Sequence, residues 1–149
     1  MHVLLLDTSI QGLAVVLAKM DERGALKLIA HEWYPKGQDA SSKLTELIEK
    51  FRQAHGFDWE SIHSLGVGIG PGSFTGIKIG LGFAYGLHRA RPHLRMFGVS
   101  ALRGLGRLGP DSESKGWILP ATRDAGYFAI TQNSALMLGS IKWQDKKGW

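Results

Sequence analysis

The feature that most constrains the fold is the segment from Gly68 to Gly86, GIGPGSFTGIKIGLGFAYG. It follows an apolar run typical of a buried strand and turns sharply at GPGS. It then continues as a helix that Ser73 or Thr75 can cap and that runs to about Arg89. A strand joined to a helix by so short a turn is typical of a sheet with helices packed on it.

The rest of the chain supplies the other elements of such a fold. The predicted order is three strands at 3–6, 12–19 and 26–33, a helix at 44–55, a strand at 65–69, the glycine-rich helix, a strand at 95–99 and a helix at 101–108. Hairpins followed by strand–helix crossovers predict an α/β fold with a mixed sheet flanked by helices. This is similar to the ribonuclease H-like topology of each lobe in the actin-like ATPase superfamily.

A change of pattern near residue 109 indicates a domain boundary. We therefore expect residues 1–108 to form a ribonuclease H-like first lobe, followed by a loop from Gly109 to Gly116. Residues 109–149 contain three short strand-like runs, WILPATRD, YFAITQN and ALMLGSIKW. They resemble the start of a second such lobe, so we expect an abbreviated second lobe of short strands.

Composition narrows the class of protein. The chain has no cysteine, which excludes disulfides and thiolate metal sites and fits a cytoplasmic protein. No apolar run approaches the roughly 20 residues of a membrane span, and MHVLLLDTS is typical of a strand rather than a signal peptide. The net charge of +5 permits contact with nucleic acid without establishing it.

The turn after the first strand, Asp7, Thr8 and Ser9, has two interpretations. It can be a phosphate loop, as at this position in the actin-like superfamily, or a hairpin turn whose side chains bond nearby backbone amides. The first interpretation supports an enzyme, a nucleotide-dependent phosphotransferase or hydrolase that uses Asp7, Thr8 and the loop from Gly70 to Ser73. The sequence leaves both open.

Other catalytic patterns are absent from the sequence. No two of the six histidines have the i, i+4 spacing of a helical metal site. Asp7, Glu46 and Glu49 lack the further acid, after the strand at 65–69, that a two-metal nuclease needs. Ser73 does not lie in G-x-S-x-G, and the loop before it is not a Walker A motif. We therefore expect no catalytic residue, no metal and no cofactor bound by this chain alone.

The glycine-rich helix has small residues on two faces. Gly76, Gly80 and Ala84 follow at i, i+4 and i+8, and Gly82 and Gly86 lie on another face. Each interior glycine costs about 1 kcal/mol relative to alanine, and small residues at this spacing allow another backbone to approach closely. That neighbour can belong to the chain's own sheet or to another protein.

Three motifs carry a resemblance to a known family. LLLDTS, GVGIGPGSFTGIKIGLGFAYGL and GVSALRGL, in this order within residues 1–108, resemble the TsaB (YeaZ) family. Its members are noncatalytic relatives of TsaD in the actin-like superfamily, often labelled glycoproteases although no peptidase activity is expected. The resemblance implies a scaffold that activates a TsaD-like catalytic subunit in making threonylcarbamoyladenosine in tRNA.

The resemblance also implies partners and interface residues. A TsaE-like ATPase joins the complex, ATP and metal reside on the partner subunits, tRNA is contacted mainly through the complex, and a homodimer can form when the chain is alone. The interface residues that it implies are Leu44, Leu47, Ile48, Phe51, Gly76, Ile77, Gly80 and Ala84. The chain departs from the family in its short second lobe and in the order of Arg123 and Asp124. Direct RNA contact by the tail KWQDKKGW, with Trp143 and Trp149, is a further hypothesis.

Overall fold

The computed structural model describes residues 1–10, 12–35, 43–108, 114–122, 125–132 and 135–142. The elements in order are β1 (His2–Asp7), β2 (Gly12–Met20), β3 (Leu26–Pro35), α1 (Leu44–His55), a 3₁₀ turn (Trp59–Ser61), β4 (Ile62–Gly68), α2 (Phe74–Ala90), β5 (Arg95–Val99), α3 (Ala101–Leu105), β6 (Lys115–Thr122), β7 (Ala125–Gln132) and β8 (Ala135–Lys142). The order of strands and helices predicted from the sequence is confirmed.

The first five strands form one mixed sheet in the order β3-β2-β1-β4-β5. β1, β2 and β3 are antiparallel neighbours, whereas β1, β4 and β5 run parallel. Parallel neighbours need crossover connections, and α1 and α2 supply them. This is the ribonuclease H-like arrangement predicted above.

The core lies between this sheet and α1 and α2. Alternate residues of β1 and β2, such as Leu4 and Leu17, face one side because strand side chains alternate with a period of two. The apolar stripe of α1 packs on that side through Ile48 and Phe51, and α2 joins through Ala84. Each fully buried large side chain contributes roughly 1.5–3 kcal/mol, which fixes both helices on the sheet.

Local signals set the ends of both long helices. The Ser73 hydroxyl accepts a hydrogen bond from the Gly76 amide at 3.2 Å, so Ser73 is the N-cap of α2. Gly56 ends α1 in the left-handed conformation, with φ at +62°, which glycine adopts without steric cost. Ser73 is one of the two caps predicted for α2, and α1 ends at residue 55 as predicted.

Two boundaries differ from the sequence predictions. β4 begins at Ile62 rather than Leu65, because Ile62 is buried and pairs with His2 at the start of β1. The polar residues His63 and Ser64 obscure this in the sequence. α3 ends at Leu105 rather than Leu108. The next residue, Gly106, is buried and packs against Leu136 of β8.

β6, β7 and β8 form a second, antiparallel three-stranded sheet, which confirms the three predicted strands. This sheet contacts α3: the Thr131 hydroxyl donates a buried hydrogen bond to the Gly106 carbonyl at 2.6 Å. The division into domains at 1–108 and 109–149 stays a prediction. Residues 109–113 of the boundary loop, the Arg123–Asp124 pair and the tail from Trp143 to Trp149 lie outside the described residues.

Candidate functional site

The inner face of α2 is in close contact with the turn after β1. A Cβ on Gly76 would lie 2.0 Å from the Thr8 carbonyl oxygen, and one on Gly80 would lie 2.5 Å from the Thr8 hydroxyl. Ala84 is fully buried on the same face. The close approach that these small residues allow is therefore made within the chain's own lobe.

The outer face of α2 is open. Among the described residues, and apart from the helix backbone and the adjacent residues, a Cβ on Gly82 or Gly86 would meet no atom within 4 Å. Beside these glycines, Phe74, Leu81 and Tyr85 leave 74%, 37% and 62% of their surface exposed. We use "the outer face of α2" for these five residues, which form an apolar ridge beside a shallow glycine groove.

Lys78 lies on the exposed side of α2 between Phe74 and Leu81. Its ammonium group lies 4.5 Å from the centre of the Phe74 ring, within the range of a cation–π contact. Phe74, Lys78, Leu81 and Tyr85 follow at i, i+4, i+7 and i+11, the spacing that places side chains on one stripe of a helix. The stripe is thus a continuous, mostly apolar surface with one basic group.

The interface residues implied by the family resemblance lie mostly in the core. Six of them are buried within the folded chain: Leu44, Ile48, Phe51, Gly76, Gly80 and Ala84. These six residues pack within the chain itself, as apolar helix residues do wherever a sheet can cover them; their assignment to an interface stays a prediction. Leu47 and Ile77 are half-buried, and their assignment stays a prediction.

The turn after β1 is held by hydrogen bonds to its own loop and to the start of α2. The Ser9 amide donates to the Asp7 carboxylate at 2.6 Å, and the Ser73 amide donates to the Ser9 carbonyl at 2.7 Å. The Thr8 hydroxyl donates to the Gly76 carbonyl at 2.7 Å. The bond from Ser9 to Asp7 is the contact that the hairpin-turn interpretation predicts. The polar groups of Asp7, Thr8 and Ser9 named here therefore form hydrogen bonds within the turn and to the start of α2.

One polar atom of this turn has no partner. Ser9 is 2% exposed, and its hydroxyl makes no hydrogen bond in the described part of the chain. It lies beside the loop that leads into α2, since a Cβ on Gly72 would be 3.0 Å from the Ser9 Cβ. A buried hydroxyl normally has a partner, so this atom is the feature that favours a ligand near Asp7, Thr8 and Ser9.

The acids considered for metal binding are engaged elsewhere. Glu46 forms an ion pair with Lys50 at 2.6 Å, and Glu49 forms one with Arg52 at 2.7 Å. Hydrogen bonds from Arg52 and then Gln53 hold the pKa of Glu49 at about 2. Among the described residues, no group of three or more His, Cys, Asp or Glu side chains is arranged to hold a metal ion.

Comparisons with known proteins find similarity to TsaD and TsaB. The family model for TsaD, tRNA N6-adenosine threonylcarbamoyltransferase, matches residues 37–107. The tRNA threonylcarbamoyladenosine biosynthesis protein TsaB of Escherichia coli is 33% identical over 103 residues, covering 68% of this chain and 41% of that protein. TsaB of Haemophilus influenzae is 31% identical over 84 residues, covering 56% of this chain and 33% of that protein. The chain thus spans less than half the length of these curated relatives.

A solved structure supports the fold. YeaZ from Pseudomonas aeruginosa superposes with a TM-score of 0.69 at 22% identity, covering 99% of this chain and 70% of that one. No helix in the described ranges is long and apolar enough to cross a membrane. The solved structure shows the shared fold, and the sequence matches support the assignment of this chain to the TsaB/YeaZ family.

Proposed function

We propose that this chain is a noncatalytic subunit in the synthesis of threonylcarbamoyladenosine in tRNA. In this role it binds a TsaD-like catalytic subunit and stabilises that subunit's active conformation. The names of the curated relatives support the pathway, and the match to the TsaD family model is consistent with a TsaD-like partner. The complex is expected in the cytoplasm, with ATP and metal on the partner subunits and a TsaE-like ATPase as its third component.

The observation that carries this proposal is the outer face of α2. A lone exposed apolar residue is ordinary, but Phe74, Leu81 and Tyr85 form one ridge on a single helix. Gly82 and Gly86 lower helix propensity, and the described part of the chain leaves the space beside them open. An approaching helix can fill that space, and the two glycines would then bring the backbones close.

The same face also offers the energetic features of an interface. Aromatic residues such as Tyr85 are enriched among the side chains that dominate binding energy. A stable complex buries about 1,200–2,000 Å² in total, so α2 would form the centre of the contact and its neighbours the rim. When the chain is alone, a second copy can occupy this face, so homodimer and heterodimer compete for one surface.

The test is complex formation with the TsaD-like protein of the same genome. Purified at micromolar concentrations and mixed, the two proteins should coelute in size-exclusion chromatography with the mass of a heterodimer. Gly82→Leu should weaken the complex by tenfold or more, on the order of 1.4 kcal/mol, because the side chain occupies the groove. The matched control is Gly104→Leu, a substitution at an exposed glycine of α3 that also has open space around it.

Two outcomes would contradict this proposal. Proteins that elute separately at all concentrations would rule out the subunit role. A complex that tolerates Gly82→Leu as well as Gly104→Leu would show that the outer face of α2 is not the interface. Circular dichroism of each variant checks that the chain stays folded.

A nucleotide-dependent phosphotransferase or hydrolase is the second candidate, and the unpartnered Ser9 hydroxyl favours it. It predicts that the isolated chain binds ATP with Mg²⁺ through the turn formed by Asp7, Thr8 and Ser9. Isothermal titration calorimetry of the isolated chain decides the matter. Binding that Ser9→Ala reduces would support the enzyme, and no heat at millimolar ATP would exclude it.

A further inference from the structure

Charge is unevenly distributed along the chain. Residues 61–110 contain six Lys or Arg residues and no Asp or Glu, whereas residues 1–60 contain seven Lys or Arg and nine Asp or Glu. Of the six basic residues in the second segment, five are arginines. Residues 61–110 therefore carry a net charge of +6, whereas residues 1–60 carry a net charge of −2.

The fold gathers this segment on one side of the first lobe. Residues 61–110 supply β4, α2, β5 and α3, and β5 is the edge strand of the five-stranded sheet. Arg89 and Arg95 lie at one end of β5, and Arg103 and Arg107 lie on and just after α3 at its other end. We call these four arginines the basic side; all four are exposed.

The four arginines have no acidic partner in the part of the chain that the structure describes. Among the basic residues of 61–110, Arg91 is the one that lies within 4 Å of a carboxylate in the described part of the chain: its Nε lies 3.6 Å from Glu60. Its guanidinium also lies 5.6 Å from the centre of the Trp59 ring, so Arg91 has a structural role. Basic residues of α1 pair with neighbouring acids instead, as Lys50 and Arg52 do.

The backbone holds the two ends of the basic side at fixed positions. After α2, the Arg91 amide donates to the carbonyls of Leu87 and His88, and the Leu94 amide donates to the Arg91 carbonyl at 3.0 Å. Leu94 is buried, which anchors the turn between Arg89 and Arg95. β5 then extends for about 13 Å at 3.3 Å per residue before α3 begins. The two arginine pairs can thus contact different phosphates of one backbone.

We propose that the basic side binds the phosphate backbone of the tRNA that the complex modifies. Unpaired guanidinium groups suit this ligand because each can form two parallel hydrogen bonds with a phosphate. A long polyanion is the ligand that can contact both ends of β5 at once. The identity of the anion as tRNA rests on the proposed function; the contact itself rests on the charges and their placement.

The test measures binding of an unmodified tRNA transcript by fluorescence anisotropy, for the isolated chain and for its mixture with the TsaD-like protein. The variants are Arg89→Gln with Arg95→Gln, and Arg103→Gln with Arg107→Gln. Each lost phosphate contact should lower the ratio of Kd at 200 mM salt to Kd at 50 mM salt by about threefold, as counterion release requires for a duplex. Each double variant should therefore lower that ratio by about tenfold.

The matched control removes two charges from the other side of the lobe. Lys19 and Lys27 are exposed and face each other across β2 and β3. The double variant Lys19→Gln with Lys27→Gln has the same net charge as each arginine variant, and it should keep the salt dependence of the unmodified chain. Equal losses in the control and the arginine variants would show a general charge effect and overturn the proposal.

Two further measurements keep the outcomes distinct. Each variant is tested for coelution with the TsaD-like protein; if the complex forms but tRNA binding is unchanged, this inference fails and the proposed function stands. If no complex forms, the proposed function fails, and anisotropy on the isolated chain still decides whether the arginines bind tRNA. Vesicles of phosphatidylglycerol and phosphatidylcholine are added as a competitor. If the chain prefers the vesicles to tRNA, the ligand of the basic side is a membrane surface and the proposal is overturned.

Discussion

Thr8 and Gly76 contact each other through both backbone and side chain. The Thr8 hydroxyl donates to the Gly76 carbonyl at 2.7 Å, and a Cβ on Gly76 would lie 2.0 Å from the Thr8 carbonyl oxygen. The first turn of α2 therefore rests on the end of β1 with no room for a side chain. This contact fixes which face of α2 points inward.

The first prediction follows from that contact. Gly76→Ala should destabilise the lobe by about 2 kcal/mol, since overpacking against backbone costs roughly 1–3 kcal/mol and exceeds the gain in helix propensity. Urea unfolding followed by circular dichroism measures the change. Stability equal to or above that of the parent chain would mean that α2 is not seated on Thr8.

A second prediction concerns the outer face of the same helix. Gly82→Ala should stabilise the isolated chain by about 0.5–1 kcal/mol, because alanine is the better helix former and its methyl group points into space that the described residues leave open. The same unfolding measurement applies, with Gly86→Ala as an independent repeat. A loss of stability in both variants would place these glycines against another part of the chain.

The third prediction tests the connection between α3 and the second sheet. Thr131→Val removes the buried hydroxyl that donates to the Gly106 carbonyl and should cost about 1 kcal/mol. Thr131→Ser, which retains the hydroxyl, is the control and should lose less unfolding free energy. Hydrogen exchange at β7 is expected to rise in the valine variant alone. An unchanged exchange rate would indicate that this bond does not hold the second sheet to α3.

A fourth prediction comes from Tyr34. Burial, followed by a hydrogen bond to Glu32, raises the pKa of Tyr34 to about 12 from an ordinary value of 10. The folded state thus favours the protonated phenol, so the stability linked to Tyr34 is complete below pH 10 and is lost as the pH rises toward 12. Tyr34→Phe should flatten the fall in unfolding free energy across this window. Tyr85→Phe at an exposed position is the control, and a similar flattening there would contradict the assignment.

Much of the fold could be predicted because its signals are local. Period-two alternation in β2 and the apolar stripe of α1 reflect which residues a sheet and a helix bury, and Ser73 and Gly56 mark helix ends by their own chemistry. The start of β4 was missed because His63 and Ser64 interrupt its apolar run. Pairing with β1, a contact between residues about 60 positions apart, decides that boundary.

The candidate interface could be predicted only in part, because glycine spacing is ambiguous. Gly76 and Gly80 have the same four-residue spacing as Gly82 and Gly86, so the sequence does not say which pair faces the sheet. The backbone of Thr8 decides it in the folded chain. One available signal was overlooked: Phe74, Leu81 and Tyr85 share a stripe with Lys78, a residue that is costly to bury.

The separation of acidic and basic segments has an effect before any contact is made. With carboxylates in excess in the first 60 residues and guanidinium groups gathered beside the β5 edge, the lobe is an electric dipole. Near a polyanion, such a molecule experiences a torque that turns its positive side forward over about one Debye length, roughly 8 Å at physiological ionic strength. Its encounters with RNA would then be oriented collisions, and their rate constant should fall as salt shortens that distance.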